Sequence, residues 1–289
     1  MININDLPGY DDAAPLLEVD NLCVTFESFE GEVAAVDGVS FTVNPGETLC
    51  IVGESGSGKS ASQMAILGLL STPPAIISGS VRFCGIELVH APQSTLFTVR
   101  GSGVSMIFQD AITSLNPSLK VGFQIAEVFC ARTGSDRASG RKYAIELMER
   151  VAIPDASHRV DDYPFQFSGG MCQRIMIAMA LALNPKILIA DEPTTALDVT
   201  VQRQVMELLK SLSKNADLAL VLITHDLGVA AEQADKVMVM YAGRTVETGL
   251  TDAVFAKPYH PYTQALLSSM PDVTNNFNRL GIISGSPPV

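Results

Sequence analysis

Wholly apolar runs alternate with helical periodicity in the second half of the chain. Residues 187–190 and 218–223 are almost entirely apolar, and helix-like segments over residues 171–183 and 199–213 precede them. Strands that are apolar on both faces and alternate with helices indicate a parallel sheet that is covered on two sides. The pattern therefore predicts an α/β protein with a parallel sheet at its core.

A different pattern occupies the N-terminal part. Residues 16–52 alternate short β-like runs, at residues 16–19, 33–36 and 39–43, with turn signals at Gly31 and at residues 44–46. This alternation predicts an antiparallel β layer that leads into the apolar strand at residues 49–52.

Turns and helical periodicity dominate from about residue 92 to residue 162. Within this stretch, residues 141–151 carry apolar side chains at helical spacing. We predict an inserted helical subdomain here.

Composition narrows the choice of function. A chain of 289 residues with 47% hydrophobic side chains can bury a large core. The net charge of -12 disfavours binding to nucleic acid or to an anionic membrane surface, because both depend on Lys and Arg. Residues 1–15 are acidic and lack the basic leader of a secretory signal, so we expect a cytoplasmic protein.

The positive mean hydropathy of +0.26 raises the question of a membrane segment. Residues 60–81 carry no charge, but Pro73 and Pro74 interrupt them, and the apolar run over 64–70 is far shorter than the roughly 20 residues that a bilayer requires. We predict a buried helix followed by a turn. The scattered cysteines lack metal-ligand spacing, and buried or incidental thiols are the favoured interpretation.

A glycine-rich loop carries the clearest chemistry. It follows an apolar strand and precedes a helix-like segment, and it fits the phosphate-binding pattern. Glycines let several N–H groups point at one phosphate chain, a lysine reaches the outer phosphates, and the last hydroxyl is offered to Mg²⁺. The residues of this loop are Gly53, Glu54, Ser55, Gly56, Ser57, Gly58, Lys59 and Ser60.

Three further polar sites lie at the edges of predicted elements. Asp191 and Glu192 end the strand at 187–190, where a phosphate-transfer enzyme places a Mg²⁺ ligand and a residue that orients water. Residues 168–170, Ser-Gly-Gly, precede a helix and offer an anion site, and His225 ends a later strand. Each taken alone also fits a structural role as a strand end, a helix cap or a hydrogen-bonding histidine.

In combination and order, these motifs resemble the ATP-binding subunits of ABC transporters over nearly the whole chain. The resemblance implies an ATPase with a P-loop NTPase fold: a RecA-like parallel sheet, an antiparallel β subdomain and an inserted helical subdomain. ATP and Mg²⁺ are its implied ligands. It also implies a tail over residues 1–15, an ATPase domain over 16–255 with the helical subdomain at about 92–165, and a C-terminal extension over 256–289.

The same resemblance assigns roles to single residues. Glu192, His225 and Gln109 are the implied catalytic residues, and Ser60, Gln109 and Asp191 the implied Mg²⁺ ligands. Phe26 is the candidate for stacking on adenine, although a core phenylalanine is an equally plain interpretation. The implied ATP-binding set comprises residues 53–60 and Phe26 together with the signature Ser168, Gly169, Gly170 and Met171 and with Asp198 of the Ala196-Leu197-Asp198 loop.

Finer motifs resemble one class of the family. Residues 113–117, 240–243 and above all 260–267, His-Pro-Tyr-Thr-Gln-Ala-Leu-Leu, are similar to the oligopeptide, dipeptide and nickel importer subunits. This class implies ATP-powered uptake of di- or oligopeptides at the cytoplasmic face of the cell membrane. The implied partners are a second cassette, identical or paralogous, two permease subunits and a solute-binding protein, without nucleic acid.

Departures from the class pattern keep alternatives open. Cys172 stands where the class has an arginine, Phe165 stands where a histidine is common, and no cysteine follows Cys172, so we predict no iron–sulfur cluster. A degenerate cassette in a heterodimer and a nickel or other small-solute importer remain alternatives. Gln109 and Ser168 lie too close in the chain for the long coiled coil of a DNA-repair ATPase, and a second cassette, usual in translation factors, is missing.

Overall fold

The computed structural model describes residues 4–28, 31–195, 197–215 and 217–269. The strands are β1 (Leu17–Ser28), β2 (Gly31–Val43), β3 (Thr48–Val52), β4 (Ala75–Phe83), β5 (Ile86–Glu87), β6 (Val104–Ile107), β7 (Ile187–Asp191), β8 (Ala219–Thr224), β9 (Lys236–Tyr241) and β10 (Arg244–Leu250). The helices are α1 (Lys59–Ile66), α2 (Gln93–Ser102), α3 (Ala111–Ser114), α4 (Val121–Thr133), α5 (Arg137–Arg150), α6 (Ala156–Arg159), α7 (Gly169–Ala180), α8 (Val199–Asn215), α9 (Leu227–Gln233), α10 (Thr251–Ala256) and α11 (Pro261–Ser268). The chain divides into two compact units, one over residues 4–8 and 97–220, the other over 9–96 and 221–269.

The unit of residues 9–96 and 221–269 contains the predicted antiparallel layer. Its strands lie in the order β2-β1-β4-β5, and β1 pairs with both long neighbours through Leu17, opposite Val43 and Phe83. The prediction of short runs was wrong in one respect, because residues 33–36 and 39–43 form one strand. A register shift between Leu22 and Val24 of β1 accommodates Asp37 and Gly38, which separate the two predicted runs, without ending either strand.

The same unit carries parallel strands. β3 pairs in parallel with β9, from Leu49 opposite Lys236 to Val52 opposite Val239, and β10 pairs antiparallel with β9. Every residue of β3 is buried. The buried helix predicted after Ser60 is α1, but β4, which begins at Ala75 within the stretch predicted as helix and turn, was not predicted.

The unit of residues 4–8 and 97–220 combines parallel strands with helices. β6 and β7 pair in parallel from Val104 opposite Ile187 to Ile107 opposite Ala190, and α4, α5 and α7 pack on one another. The apolar periodicity predicted for residues 141–151 is the buried face of α5. β6 was missed because a strand of four residues carries too little periodicity to be told from a turn. These pairings confirm the predicted fold class, whereas the predicted domain boundaries stay predictions.

Two further properties concern membranes and thiols. In the part of the chain that the structure describes, no helix is long and apolar enough to cross a membrane. All five cysteines lie in this part and none of them forms a disulfide; Cys50, Cys84 and Cys172 are buried. Burial raises the pKa of the Cys50 thiol, which makes it a poor nucleophile.

A half-buried ion pair joins the start of β3 to β9. The Glu47 carboxylate lies 2.6 Å from Lys236 Nζ and accepts hydrogen bonds from the Asn44 backbone N–H at 2.9 Å and side-chain amide at 2.8 Å. Burial raises the pKa of Glu47, but hydrogen bonds from Lys236 and Asn44 outweigh it, so the pKa lies below its ordinary value of 4.5. The ionised form therefore stabilises the fold.

We expect Glu47→Gln to lower the free energy of unfolding at pH 7 by about 1–3 kcal/mol, the usual scale for losing a charged hydrogen-bond partner. A carboxyl whose pKa is lowered by folding stabilises above the unfolded pKa, and that stability is lost as the pH falls through the folded pKa. In urea titrations at a series of pH values, the difference from the native protein should thus shrink over the acid range below the ordinary pKa of 4.5. Glu146→Gln is the matched control, since its pair with Lys142 is 4.0 Å long and exposed; it should change stability by less than about 0.5 kcal/mol. A Glu47→Gln deficit that stays constant down to the acid end of this range would contradict this role.

Candidate nucleotide-binding site

Residues 53–58 form a tight loop between β3 and α1. β3 ends at Val52, and α1 begins at Lys59 with Gly58 as its N-cap residue in the left-handed region, at φ 94°. The first N–H groups of a helix lack partners within the helix and carry the positive end of its dipole. The loop therefore offers the backbone donors that bind phosphate.

Other backbone segments approach this loop too closely for side chains. A Cβ at Gly58 would lie 2.2 Å from the Ala35 carbonyl oxygen of β2, and one at Gly53 would lie 2.3 Å from the Met240 carbonyl oxygen of β9. The Gly243 N–H, in the turn between β9 and β10, donates to the Ser57 carbonyl oxygen at 3.2 Å. The loop is thus shaped by the backbone of its own unit.

Lys59 is buried beneath the loop. Its Nζ donates to the carbonyl oxygens of Gly53 at 2.8 Å and Glu54 at 2.7 Å, and to Ser57 Oγ at 3.3 Å. These acceptors are neutral, and an ammonium group binds an anionic oxygen about twice as strongly as a neutral one. A phosphate group that enters the loop would therefore compete well for this lysine. The Ser60 side chain is exposed at the start of α1.

Acidic residues end β7 in the other unit. Asp191 is the last residue of the strand and is buried, and Glu192 follows in the left-handed region at φ 45°. The Glu192 carboxylate accepts hydrogen bonds from Gln109 Nε2 at 2.9 Å and from Thr195 Oγ1 at 2.8 Å. The structure thus brings together Gln109 and Glu192, two of the three residues that the family resemblance implies are catalytic. Thr195 was missed, although a hydroxyl three residues beyond Glu192 is a visible signal.

The signature serine and Asp198 each accept hydrogen bonds from N–H groups at the start of a helix. Ser168 is the N-cap residue of α7, and its Oγ accepts from the Met171 N–H at 3.4 Å. Asp198 Oδ1 accepts from the N–H groups of Thr200 at 3.1 Å and Val201 at 3.0 Å, at the start of α8. Of the predicted Ala196-Leu197-Asp198 loop, Ala196 lies outside the described residues. Both segments present helix N-termini, which suit anions.

The residues that depart from the class pattern occupy different environments. Cys172 is 3% exposed, and its Sγ lies 3.5 Å from the Pro164 carbonyl oxygen. Burial raises the pKa of this thiol. Phe165 is largely exposed and stacks on Tyr163 with ring centroids 5.7 Å apart. The cysteine therefore serves as a packing residue of α7.

The remaining candidates lie at strand ends and on a strand. His225 follows β8 and is exposed, directly before Asp226, which caps α9 through the N–H groups of Gly228 and Val229. Phe26 is half-buried on β1, opposite Val33 and Ala75. Both positions are compatible with the functional and with the structural interpretation of each residue.

A contact from the C-terminal segment was not foreseen. The Glu54 N–H, in the phosphate-binding loop, donates to the Tyr262 hydroxyl at 3.1 Å, and the Tyr262 ring lies 4.5 Å from that of Tyr241. The signals are visible in the sequence, because residues 240–243 and 260–267 stand out as class motifs. Neither motif predicts a contact with the loop.

Comparisons with known proteins agree with this geometry. Residues 36–195 match the family model of ABC transporters, and residues 246–289 match the model of the oligopeptide/dipeptide transporter C-terminal region. The oligopeptide transport ATP-binding protein OppD of Bacillus subtilis is 52% identical over 94% of this chain and 77% of its own length. The dipeptide transport ATP-binding protein DppD of Escherichia coli is 50% identical over 94% of this chain and 84% of its own length.

Solved structures share the fold. The ATP-binding cassette MJ0796, described as dimeric in a post-hydrolysis state with ADP and Pi, has a TM-score of 0.72 and 28% identity over 81% of this chain and 98% of its own. The cbiO1 protein from Clostridium perfringens, part of the ABC transporter complex cbiONQ, has a TM-score of 0.71 and 27% identity over 84% of this chain and 91% of its own. A P-loop fold with these motifs defines an ATPase of the ABC type. The chain belongs to the ABC transporter family, as a member with the oligopeptide/dipeptide-type C-terminal region.

The close approach of backbone at Gly58 predicts that residue 58 cannot carry a side chain without a loss of stability. We expect Gly58→Ala to destabilise the protein well beyond the roughly 1–2 kcal/mol that the left-handed backbone alone costs an alanine, because its Cβ would overlap the Ala35 carbonyl oxygen. Gly56→Ala is the matched control, since Gly56 has φ 82° but a Cβ added there would have no other atom within 4 Å. Urea unfolding without nucleotide measures both variants, and equal losses would refute the packing argument.

Proposed function

We propose that this chain is the ATP-hydrolysing subunit of an importer and that it powers uptake of di- or oligopeptides through a membrane permease. The observation that carries the ATPase part is the preformed phosphate loop with Lys59 buried beneath it. The proposal that the solutes are peptides is supported by relatives that are 52% and 50% identical in sequence and are named for oligopeptide and dipeptide transport.

The phosphate loop binds the triphosphate in this proposal. The N–H groups of residues 55–60 face the phosphates, and Lys59 exchanges its carbonyl partners for phosphate oxygens. Ser60 and Asp191, with Gln109, would hold Mg²⁺, which prefers such oxygen ligands. The exposed hydroxyl at the start of α1 and the carboxylate at the end of β7 suit this ion. When bound, Mg²⁺ would neutralise charge on the phosphates.

Glu192 orients the attacking water. Phosphoryl transfer has a loose transition state, so the protein contributes mainly by positioning and by charge. The hydrogen bonds from Gln109 and Thr195 hold the Glu192 carboxylate in one orientation, which is what a water-positioning base requires. His225 is assigned to the outer phosphate, and Phe26 to the adenine ring.

A second cassette completes the site. We assign Ser168, Gly169, Gly170 and Met171, with Asp198, to the ATP that is held by the phosphate loop of the partner cassette. The N-terminus of α7, a helix of 12 residues, suits this role, and the similar cassette MJ0796 is described as dimeric. ATP binding then closes the pair, and hydrolysis reopens it. The permease subunits would place the chain peripherally at the cytoplasmic face of the membrane, next to an importer fed by a solute-binding protein.

The alternative of a degenerate cassette rests on Cys172. Its side chain is buried against Pro164, while Lys59 keeps its contacts within the phosphate loop and Glu192 its hydrogen bond from Gln109. The geometry therefore favours an active subunit. Disabling each half-site in turn within the purified pair, and measuring ATP hydrolysis, separates the two cases.

The transport function is tested in proteoliposomes that contain the complete importer. We expect ATP-dependent accumulation of a labelled dipeptide or hexapeptide, and stimulation of ATP hydrolysis by the peptide-loaded binding protein. Uptake of Ni²⁺ without peptide uptake would favour the small-solute alternative. If the importer shows no uptake and no ATP hydrolysis, the proposal is overturned.

Lys59→Ala is predicted to weaken ATP binding by about tenfold or more, because the change removes a charge-assisted contact to phosphate. Titration of the purified chain with a fluorescent ATP analogue measures the affinity. Lys142→Ala, which changes an exposed lysine of α5, is the control and should bind as the native protein does. Unchanged affinity in Lys59→Ala would remove the lysine from the proposed site.

Glu192→Gln is predicted to leave ATP affinity within about threefold and to lower turnover by about 10²–10³-fold, the scale of one key catalytic group. The amide oxygen can still accept the hydrogen bonds from Gln109 and Thr195, but it cannot take up a proton from water. Single-turnover hydrolysis in the assembled importer is the measurement. The exposed change Glu207→Gln on α8 is the control. Native turnover in Glu192→Gln would contradict the role.

A further inference from the structure

The C-terminal segment reaches the phosphate-binding loop through one hydroxyl. Tyr262 is the second residue of α11 and is 8% exposed. Its hydroxyl accepts the Glu54 N–H at 3.1 Å. Burial raises the pKa of Tyr262 above its ordinary value, so the hydroxyl stays protonated near neutral pH. A side chain outside the phosphate-binding motif thus satisfies a backbone donor of the loop.

Several contacts fix the position of this tyrosine. His260 is the N-cap residue of α11, and its Nδ1 accepts from the Tyr262 N–H at 3.2 Å. The Glu247 carboxylate of β10 accepts from the N–H groups of Tyr259 at 2.8 Å and His260 at 3.1 Å. Pro261 occupies the first helical position, where its fixed φ suits a helix start. The motif at 260–263 therefore begins α11 at a defined place on β10.

The backbone of Glu54 is held on both sides of its Cα. Its N–H is bound by Tyr262, and its carbonyl oxygen is bound by Lys59 Nζ at 2.7 Å. In the proposed function Lys59 leaves this carbonyl for a phosphate. The hydrogen bond from Glu54 to Tyr262 does not depend on the lysine, so it can hold the loop while the lysine changes partners.

We propose that Tyr262 is a positioning residue for ATP: its hydroxyl holds the Glu54 peptide so that the loop keeps the shape that accepts phosphate. The inference rests on the proposed function, because it concerns the affinity of that same site. It gives the C-terminal region a direct part in nucleotide binding. A shift of α11 along β10 would weaken ATP binding without any change in the loop sequence.

Tyr262→Phe tests the inference because it removes the hydroxyl and keeps the ring against Tyr241. Losing one hydrogen bond of ordinary strength should raise the dissociation constant for a fluorescent ATP analogue, and KM for ATP in the assembled importer, by about 3–10-fold. We expect kcat to stay within about twofold, since the tyrosine contacts neither water nor the reacting phosphate in the proposed mechanism. Hydrogen exchange at the Glu54 amide should become faster.

Tyr241→Phe is the matched control, because it changes the other ring of the same pair, and it should behave as the native protein.

The outcomes separate the two proposals. If the native chain binds no ATP, the proposed function fails. If the native chain binds ATP and Tyr262→Phe matches Tyr241→Phe in affinity and in Glu54 exchange, only the role of Tyr262 is overturned. Exchange that rises throughout β3 and β9, rather than at the loop, would show general loosening and would also overturn it. A fall in kcat with unchanged KM would contradict a positioning role.

Discussion

The structure depends on a close approach of backbone to backbone around residues 53–58. β2 contributes the Ala35 carbonyl and β9 the Met240 carbonyl, each at a distance from the loop that leaves no room for a Cβ. Because the loop is braced by strands of its own unit, its N–H groups need little reorganisation to receive a phosphate. Such preorganisation is the main source of electrostatic stabilisation in phosphate chemistry. The antiparallel layer thus contacts the phosphate-binding loop directly, through β2, and helps to fix the shape of the loop.

Charge at the site differs from charge over the whole chain. The chain carries a net charge of -12, which disfavours anions at long range. Near the loop this is offset by local donors: the N-terminus of α1 and the buried Lys59, which neutral oxygens hold in place. Specific binding of a triphosphate is compatible with an acidic surface because the contacts act at short range and are little screened by salt. The same surface disfavours nucleic acid.

Sequence patterns predicted where the candidate site residues lie along strands and helices better than they predicted the packing. The loop at 53–60, the acidic end of β7 and the cap at Ser168 follow from residue types at fixed spacing, and each lies where a strand or helix begins or ends in the structure. β6 was missed because it is too short, and the joined strand β2 was missed because Asp37 and Gly38 interrupt its apolar pattern where the structure has a register shift against β1. The contact between Glu54 and Tyr262 joins residues far apart in the chain. No local spacing rule encodes such a contact, so it required the fold.

The conformation of Glu192 shows how an acidic pair can be divided between roles. Along a strand, successive side chains point to opposite faces. If β7 simply continued through Glu192, the carboxylates of Asp191 and Glu192 would therefore point to opposite faces of the sheet. Glu192 instead leaves the strand in the left-handed region, before Pro193, which disfavours a right-handed helical residue in front of it. Such backbone costs about 1–3 kcal/mol. The hydrogen bonds from Gln109 and Thr195 to this charged acceptor offset part of that cost. The orientation of Glu192 is therefore coupled to Gln109, and a movement of the segment after β6 would alter the carboxylate that the proposed mechanism assigns to water.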